Sequence, residues 1–122
     1  MLASDSDPLA VRIAGDNARN NGVGPLVRTI KASGFAHPSL RRMSADLILA
    51  NLLERALHDL APAVARAVRP GGDAILSGLT QTQARGIEAR YRAHGFGLKR
   101  RIILDGWTTL VITRRRGRSL RD

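Results

Sequence analysis

The sequence contains no cysteine, which excludes disulfide bonds, thiolate metal sites and a cysteine nucleophile. It also has no long apolar run: stretches such as residues 47–50 and 110–112 fall far short of the roughly 20 residues that a membrane-spanning helix needs. Residues 1–8 include Asp5 and Asp7 and lack the basic start and apolar stretch of a secretory signal. These absences predict a cytoplasmic protein with no membrane partner.

Aromatic residues are scarce, with two Phe, one Tyr and one Trp, so a stacking platform for single-stranded bases is poorly supplied. The net charge of +10 nevertheless invites a nucleic-acid partner, because clustered Lys and Arg release counterions when they bind phosphates. Five of the twenty basic residues lie beyond the last apolar run: Arg114, Arg115, Arg116, Arg118 and Arg121. We therefore predict a folded domain over residues 1–113 and a solvated basic tail over 114–122, with only generic affinity for nucleic acid.

Metal and hydrolase chemistry have little support in the sequence. The three histidines, His37, His58 and His94, lack the spacing of metal ligands, and no serine lies in a nucleophile elbow. We predict no metal site. The length of 122 residues, with 43% hydrophobic and 25% charged residues, matches one small globular domain.

Strand and helix patterns alternate along the first half of the chain. Asp7 is expected to cap a helix whose first turn contains Pro8, and this helix ends near Asn21. Its inner face is predicted to carry Ala10, Ile13, Ala14 and Ala18. The flanking predictions are strands at 1–4, 26–31 and 46–50, with a loop at 33–38. The last of these strands contains the compact apolar run Leu47 to Ala50 and is expected to be buried on both faces.

The second half continues the alternation and closes with a hairpin. A helix from Leu53 is expected to kink or restart at Pro62 and to end at the turn Pro70-Gly71-Gly72, before a strand at 74–77. Thr80 and Gln83 have the spacing of a capping box ahead of a helix that Gly95 closes. Strands at 96–104 and 107–113 flank Asp105-Gly106, the strongest hairpin signal in the chain.

This order of elements predicts an α/β fold. Its sheet should be mostly parallel and covered on both faces, and the closing hairpin should add one antiparallel strand. Ligands of such sheets bind beyond the carboxyl ends of the strands, where the strand order reverses. Residues that directly follow the predicted parallel strands are therefore the candidates for a functional site.

Three motifs occupy such positions. Asp5, followed by Ser6, is placed to accept hydrogen bonds from the hydroxyls of a ribose, or is a solvated turn carboxylate. Gly34 and Phe35 either flank a purine ring or, for Phe35, belong to the core. Asn51 either orients a nucleophilic amine or caps the helix that follows it. The residues alone leave all three pairs of alternatives open.

The order of these motifs resembles a known family. Two stretches are similar to the ribose-binding strand end and following helix of class I methyltransferases: Asp5-Ser6-Asp7-Pro8-Leu9-Ala10-Val11 and Asn17-Ala18-Arg19-Asn20-Asn21-Gly22-Val23. Later stretches resemble the ribosomal protein L11 methyltransferases in particular: Asp46-Leu47-Ile48-Leu49-Ala50-Asn51-Leu52-Leu53, Leu60-Ala61-Pro62, Pro70-Gly71-Gly72, Ile75-Leu76-Ser77-Gly78-Leu79 and Asp105-Gly106-Trp107-Thr108-Thr109-Leu110-Val111. The resemblance extends to about Arg114 and identifies residues 1–113 as part of a Rossmann-like catalytic domain.

The resemblance implies transfer of methyl groups from S-adenosylmethionine to amino groups of a ribosomal protein. It implies that Asp5 and the adjacent Ser6 bind the cofactor at its ribose, that Gly34 and Phe35 lie near its adenine, and that Asn51 faces both the methyl group and the incoming amine. Leu52 and Leu53 follow this asparagine, whereas enzymes that methylate exocyclic amines of bases have Pro-Pro-aromatic there. This difference favours a protein substrate.

The sequence also differs from the family's pattern. Family members have an upstream strand that ends in a Gly-x-Gly loop and an amino-terminal substrate-recognition domain, and neither is found here. We therefore expect the first strand of the sheet to be missing. Either the strand before Asp5 then closes directly onto the strand before Asn51, or the exposed edges of the sheet pair with a second copy of the chain, and we expect the second outcome. The alternative functions are an RNA or small-molecule methyltransferase of the same fold and an inactive α/β binding fragment.

Without the glycine loop, the chain is expected to bind S-adenosylmethionine weakly or not at all. In the family this loop lets the backbone approach the amino-acid part of the cofactor, so half of the binding surface would be absent. Isothermal titration calorimetry of the chain against S-adenosylmethionine measures this affinity. Micromolar binding that Asp5→Ala abolishes would contradict the expectation.

Overall fold

The computed structural model describes residues 1–117, so Arg118 and Arg121 of the predicted basic tail lie outside the described residues. The chain divides into two units, Met1–Arg41 and a second that begins at Arg42. The first unit contains strand β1 (Leu2–Asp5), helix α1 (Pro8–Asn20), a 3₁₀ turn (Gly24–Leu26), strand β2 (Arg28–Lys31) and helix α2 (Pro38–Arg41). Strands β1 and β2 pair in parallel, and α1 connects them.

Local chemistry accounts for helix α1. The Asp7 side chain accepts a hydrogen bond from the backbone N–H of Leu9 at 2.9 Å, and Pro8 occupies the first helical position, as predicted. The helix ends at Asn20 with Asn21 as its carboxyl-terminal cap, close to the predicted end, and Gly22 then adopts a φ of +72°. Buried side chains from three elements form the core of this unit: Ala18, Ile30 and Leu40.

Three details of the first unit differ from the prediction. Leu26 was assigned to a strand but belongs to the 3₁₀ turn, because the proline before it favours a turn over a strand ladder. Ile13 was placed on the inner face of α1, yet 48% of its surface is exposed, and Ala18 is the buried residue of the helix. Pro38, predicted to end a loop, is the first residue of the short helix α2.

The second unit contains a four-stranded sheet and two helices. In chain order its elements are β3 (Ala45–Asn51), α3 (Glu54–Ala67), β4 (Val68–Thr80), α4 (Gln81–Ala93), β5 (Phe96–Leu104) and β6 (Trp107–Arg114). The strands lie in the order β3-β4-β6-β5. The predicted capping box is present at α4, where the Thr80 hydroxyl accepts from the backbone N–H of Gln83 and the Gln83 side chain accepts from that of Thr80.

The closing hairpin supplies the antiparallel strand of the sheet. Asp105 and Gly106 both have positive φ, 51° and 81°, as the tight hairpin turns favoured by Asp-Gly require. The second strand of the hairpin, β6, lies beside β4, so that β4–β6 and β5–β6 are both antiparallel while β3–β4 is parallel. Strands β3, β4 and β5 therefore run in the same direction and β6 runs against them, so the sheet is mostly parallel with one antiparallel strand from the hairpin, as predicted.

One face of this sheet holds the core. Buried residues alternate along the central strands and lie beneath α3 and α4: Ala74, Leu76, Leu110 and Ile112. On the alternate positions of β3, Leu47 is 52% exposed and Leu49 is 63% exposed. The prediction that residues 46–50 are buried on both faces is therefore wrong, because within residues 42–117 the helices α3 and α4 cover the opposite face of the sheet and leave this one uncovered.

Hydrogen bonds to the α3 backbone join the two helices. Pro62 lies inside α3, which continues through it, and its missing N–H leaves the carbonyl of His58 without its helical donor. The Arg90 Nε of α4 donates to that carbonyl at 3.1 Å, and the Tyr91 hydroxyl donates to the carbonyl of Leu57 at 2.7 Å. Burial raises the pKa of the Tyr91 hydroxyl well above its ordinary value, which keeps it a protonated donor.

No helix within residues 1–117 is long and apolar enough to cross a membrane.

Removing the Tyr91 hydroxyl should destabilise the chain. In Tyr91→Phe the ring still fills its buried site, but the hydrogen bond to the Leu57 carbonyl is lost, and we expect the free energy of unfolding to fall by about 1 kcal/mol. Denaturant titration measures the change. Trp107→Phe, at a site 59% exposed, is the control and should change the value by less than about 0.5 kcal/mol. Equal stability of Tyr91→Phe and the unmodified chain would show that the bond contributes nothing.

The edge of β3 should mediate self-association. Within residues 1–117 this strand pairs only with β4, and the exposed Leu47 and Leu49 flank its unpaired backbone groups. We expect a dimer interface on the order of 1,000 Å² or more, seen by light scattering as a mass above that of one chain. Leu49→Lys should lower this mass, whereas Leu26→Lys, at a similarly exposed leucine outside the sheet, should not. A monomer with a cooperative melt at all concentrations would contradict the expectation.

Candidate functional site

Asn51 ends strand β3 in the second unit. Its Cα partner across the parallel ladder is Ser77 of β4, the last paired position of these two strands. The residue is exposed, and strand alternation places it on the same face as the exposed Leu47 and Leu49. Asn51 thus lies at the carboxyl end of a parallel pair, the position at which α/β sheets bind ligands.

Helix capping does not explain this asparagine. The residue that caps α3 is Leu53, and no side chain donates or accepts a capping hydrogen bond there. The alternative interpretation of Asn51 as a helix cap is therefore wrong. Its carboxamide stays at the surface, where one carbonyl oxygen and two N–H groups are available to a ligand.

Gly78 lies against the side chain of Asn51. A Cβ atom built on Gly78 would stand 2.6 Å from the Asn51 Oδ1, and the φ of this glycine is +86°. The pairing of β4 with β6 shifts its register between Leu76 and Leu79, so the glycine sits in an irregularity of the strand. Sequence reasoning missed this residue, although a lone glycine inside a strand pattern is the signal of such a close approach.

Asp5 ends strand β1 in the first unit. Its backbone carbonyl accepts from the N–H of Ala32 at 2.9 Å, and its Oδ1 accepts from the backbone N–H of Asp7 at the same distance. Asp7 caps helix α1, as predicted. The contact of Asp5 with the N–H two residues on fits a turn carboxylate and leaves its second oxygen for a ligand, so both interpretations of Asp5 stay open. The exposed Asp5 carboxylate is oriented by the Asp7 N–H, and Ser6 beside it is exposed as well.

The loop after β2 lies at the same edge as Asp5, because Asp5 pairs with Lys31 at the end of the parallel ladder. Within the loop, the N–H of Ala36 donates to the Ser33 carbonyl at 3.0 Å, and Gly34 has a φ of +56° that favours glycine. Phe35 is half-buried, so part of its ring faces solvent. An oriented carboxylate, a glycine turn and an accessible ring thus share one edge of this two-stranded sheet.

The two units carry different parts of the predicted site. Asp5, Ser6, Gly34 and Phe35 belong to the first unit, and Asn51 belongs to the second. The structure brings the first group together at the end of β1 and β2. The prediction that all three motifs form one rim concerns both units and stays a prediction.

The amino-acid sequence matches a family model over almost its whole length. The model describes ribosomal protein L11 methyltransferase (PrmA) and matches residues 1–115. Among curated proteins, the chain is 46% identical over 113 residues to the ribosomal protein L11 methyltransferase of Bradyrhizobium diazoefficiens and 45% identical over 115 residues to that of a Chelativorans strain.

These relatives are longer than the chain. The two alignments cover 92% and 93% of the chain but only 38% and 40% of the relatives. The chain thus spans about two fifths of the length of the curated relatives that it matches.

Solved structures show the same fold. The ribosomal protein L11 methylase of Lactobacillus delbrueckii subsp. bulgaricus superposes with a TM-score of 0.85 at 29% identity, over 94% of the chain and 58% of that protein. An RNA methyltransferase of Salinibacter ruber, in complex with S-adenosyl-L-homocysteine, gives a TM-score of 0.71 at 20% identity, over 98% and 68%. The α/β architecture is therefore the Rossmann-like fold of class I methyltransferases, as predicted.

Proposed function

The chain belongs to the ribosomal protein L11 methyltransferase family, and on this basis we propose that it forms part of an enzyme that transfers methyl groups from S-adenosylmethionine to amino groups of that ribosomal protein. The observation that carries the proposal is the placement of Asn51. It is a surface carboxamide at the carboxyl end of a parallel strand, and the helix that follows does not use it as a cap. A polar group so placed is available for a substrate.

The residues at the end of β1 and β2 suit the adenosine part of the cofactor. Asp5 can accept hydrogen bonds from the two ribose hydroxyls, since its carboxylate is exposed and oriented by the N–H of Asp7. Ser6 supplies a further exposed hydroxyl next to it. Gly34 permits a flat group to approach the backbone, and Phe35 offers a partly exposed ring for contact with adenine. These residues bind and orient the cofactor, whose sulfonium supplies the electrophilic methyl group.

Asn51 is suited to hold the incoming amine. A lysine amine has an ordinary pKa of about 10.4 and must be neutral to act as a nucleophile. The Asn51 Oδ1 can accept a hydrogen bond from its N–H and so align the nitrogen lone pair with the methyl carbon. A carboxylate at this position would raise the pKa of the amine and favour its unreactive charged form, whereas a neutral carboxamide avoids this.

The surroundings of Asn51 favour a protein substrate over RNA. Leu52 and Leu53, the residues directly after it, are 41% and 81% exposed and offer apolar contact to a polypeptide.

Two arginines of the predicted basic tail form hydrogen bonds with the chain itself: Arg114 donates to the carbonyl of Val68, and Arg115 donates to that of Arg92. These contacts tie both side chains to the backbone of the folded unit. A ribosomal protein substrate is consistent with a cytoplasmic location.

Asn51→Ala should lower methyl transfer much more than cofactor affinity. The test replaces the matching region of the Bradyrhizobium diazoefficiens relative with residues 1–113 and measures transfer of labelled methyl groups to ribosomal protein L11. We expect Asn51→Ala to reduce kcat about 100-fold, because the amine loses its alignment, while the Kd for S-adenosylmethionine stays within about twofold. Asn51→Asp should also lower kcat, because the carboxylate raises the pKa of the amine, and kcat should partly recover as the pH rises and the amine loses its proton.

Asn20→Ala is the matched control, since Asn20 is an exposed asparagine at the end of α1, and it should leave kcat unchanged. Transfer of the labelled methyl groups to RNA or to small amines, and not to L11, would support an RNA or small-molecule methyltransferase. A chimaera that folds and binds cofactor but labels nothing would support an inactive binding fragment. Unchanged kcat in Asn51→Ala would exclude the proposed role of this residue.

A further inference from the structure

We propose that Gly78 is a positioning residue for Asn51, because the space next to Gly78 that a side chain would fill is occupied by the Asn51 carboxamide oxygen. The inference rests on the function proposed for Asn51 and extends it to a second residue. Gly78 does not contact the reacting atoms. It determines whether the Asn51 carboxamide can stay in the orientation that the structure shows.

The distance between these two residues is decisive. A Cβ atom on Gly78 would lie 2.6 Å from the Asn51 Oδ1. Real Cβ atoms essentially never approach another heavy atom closer than 3.0 Å. The next nearest atoms, the carbonyl oxygen of Leu52 at 3.7 Å and the Cγ of Asn51 at 3.8 Å, lie at ordinary contact distance. The conflict is thus with one atom, the carboxamide oxygen, and not with the backbone around it.

Backbone conformation makes glycine doubly suited to this position. With a φ of +86°, residue 78 adopts a conformation that L side chains rarely take. This conformation coincides with the register shift between Leu76 and Leu79 in the β4–β6 pairing. Asn51 pairs with Ser77, which lies within this shifted interval, so its side chain reaches β4 at the point where the ladder is irregular. The irregularity and the missing side chain together create the room for the carboxamide.

A methyl group at position 78 should turn the carboxamide away without unfolding the chain. The Asn51 Oδ1 is the end of an exposed side chain with two rotatable bonds, and a change of χ1 to another well, roughly 120° away, removes the clash. The cost of Gly78→Ala to stability then has two parts, the positive φ of residue 78 and the displacement of the Asn51 carboxamide, and only the second part is removed by Asn51→Ala. Its cost to the site is the loss of the Asn51 orientation.

Solution NMR of the side-chain amide of Asn51 tests this directly on the chain. The pair of amide cross peaks that disappears in Asn51→Ala identifies Asn51, and we expect Gly78→Ala to shift this pair. Gly106→Ala is the matched control, because Gly106 has a φ of +81° and no heavy atom within 4 Å of the added Cβ. It should carry the cost of the positive φ alone and leave the Asn51 peaks in place.

A second measurement covers the case in which Gly78→Ala alone does not fold. The double variant Asn51→Ala with Gly78→Ala should then recover a cooperative melt, since the clashing oxygen is gone. In the chimaeric enzyme, Gly78→Ala should reduce kcat as Asn51→Ala does, and the double variant should be within about twofold of Asn51→Ala, because the two changes act through one group.

The outcomes separate this inference from the proposed function. Unmoved Asn51 peaks in a folded Gly78→Ala, or a double variant that stays unfolded, would overturn the positioning role. Shifted peaks combined with unchanged kcat in Asn51→Ala would leave the positioning intact and overturn the proposed function of Asn51. The inference and the proposed function are both supported if Gly78→Ala shifts the Asn51 peaks, if Asn51→Ala and Gly78→Ala each lower kcat, and if the double variant lowers kcat no further.

Discussion

The parallel hydrogen-bonded ladder between β3 and β4 sets the position of the candidate site. It pairs Asn51 with Ser77 and therefore brings the carboxamide to the sheet edge at which α/β folds bind their ligands. The same strand β4 must also pair with β6, in the opposite direction, and that second ladder loses register after Leu76. Gly78 lies where the register of the β4–β6 ladder is shifted, directly after the last residue of β4 that pairs with β3. The backbone there has a positive φ, which favours glycine.

The packing of the second unit is one-sided, and this has consequences for both stability and association. Helices α3 and α4 cover the face that carries Ala74 and Leu76, and they contact each other through donors from α4 to the backbone of α3. A proline inside α3 is tolerated because Arg90 supplies the donor that the helix itself lacks. The alternate face of β3 keeps Leu47 and Leu49 exposed, so burial there requires a further strand or chain.

In the proposed reaction the main contribution of the protein is to align the amine with the methyl group of the cofactor. A sulfonium cofactor already carries the reactive methyl group, so the contribution of the chain is to orient a carboxylate at the ribose and a neutral amide at the amine. Both groups are held by backbone features: the N–H of Asp7 orients Asp5, and the space above Gly78 accommodates Asn51. In the proposed site, Gly78 and Asp7 thus act on the orientation of Asn51 and Asp5 without touching the substrate.

Local chemistry was readable from the sequence. The Asp7 cap, the Thr80 capping box and the Asp105-Gly106 turn each depend on residues within four positions of one another, so the sequence by itself determined them. The family pattern likewise selected Asp5 and Asn51 as site residues. Only the tertiary structure decided that β6 lies next to β4, that Leu49 is exposed at an edge, and that the Asn51 oxygen fills the space next to Gly78. These features depend on contacts between residues far apart in the chain, and hydrophobic periodicity indicates which face of a strand is apolar but not which neighbour will cover it.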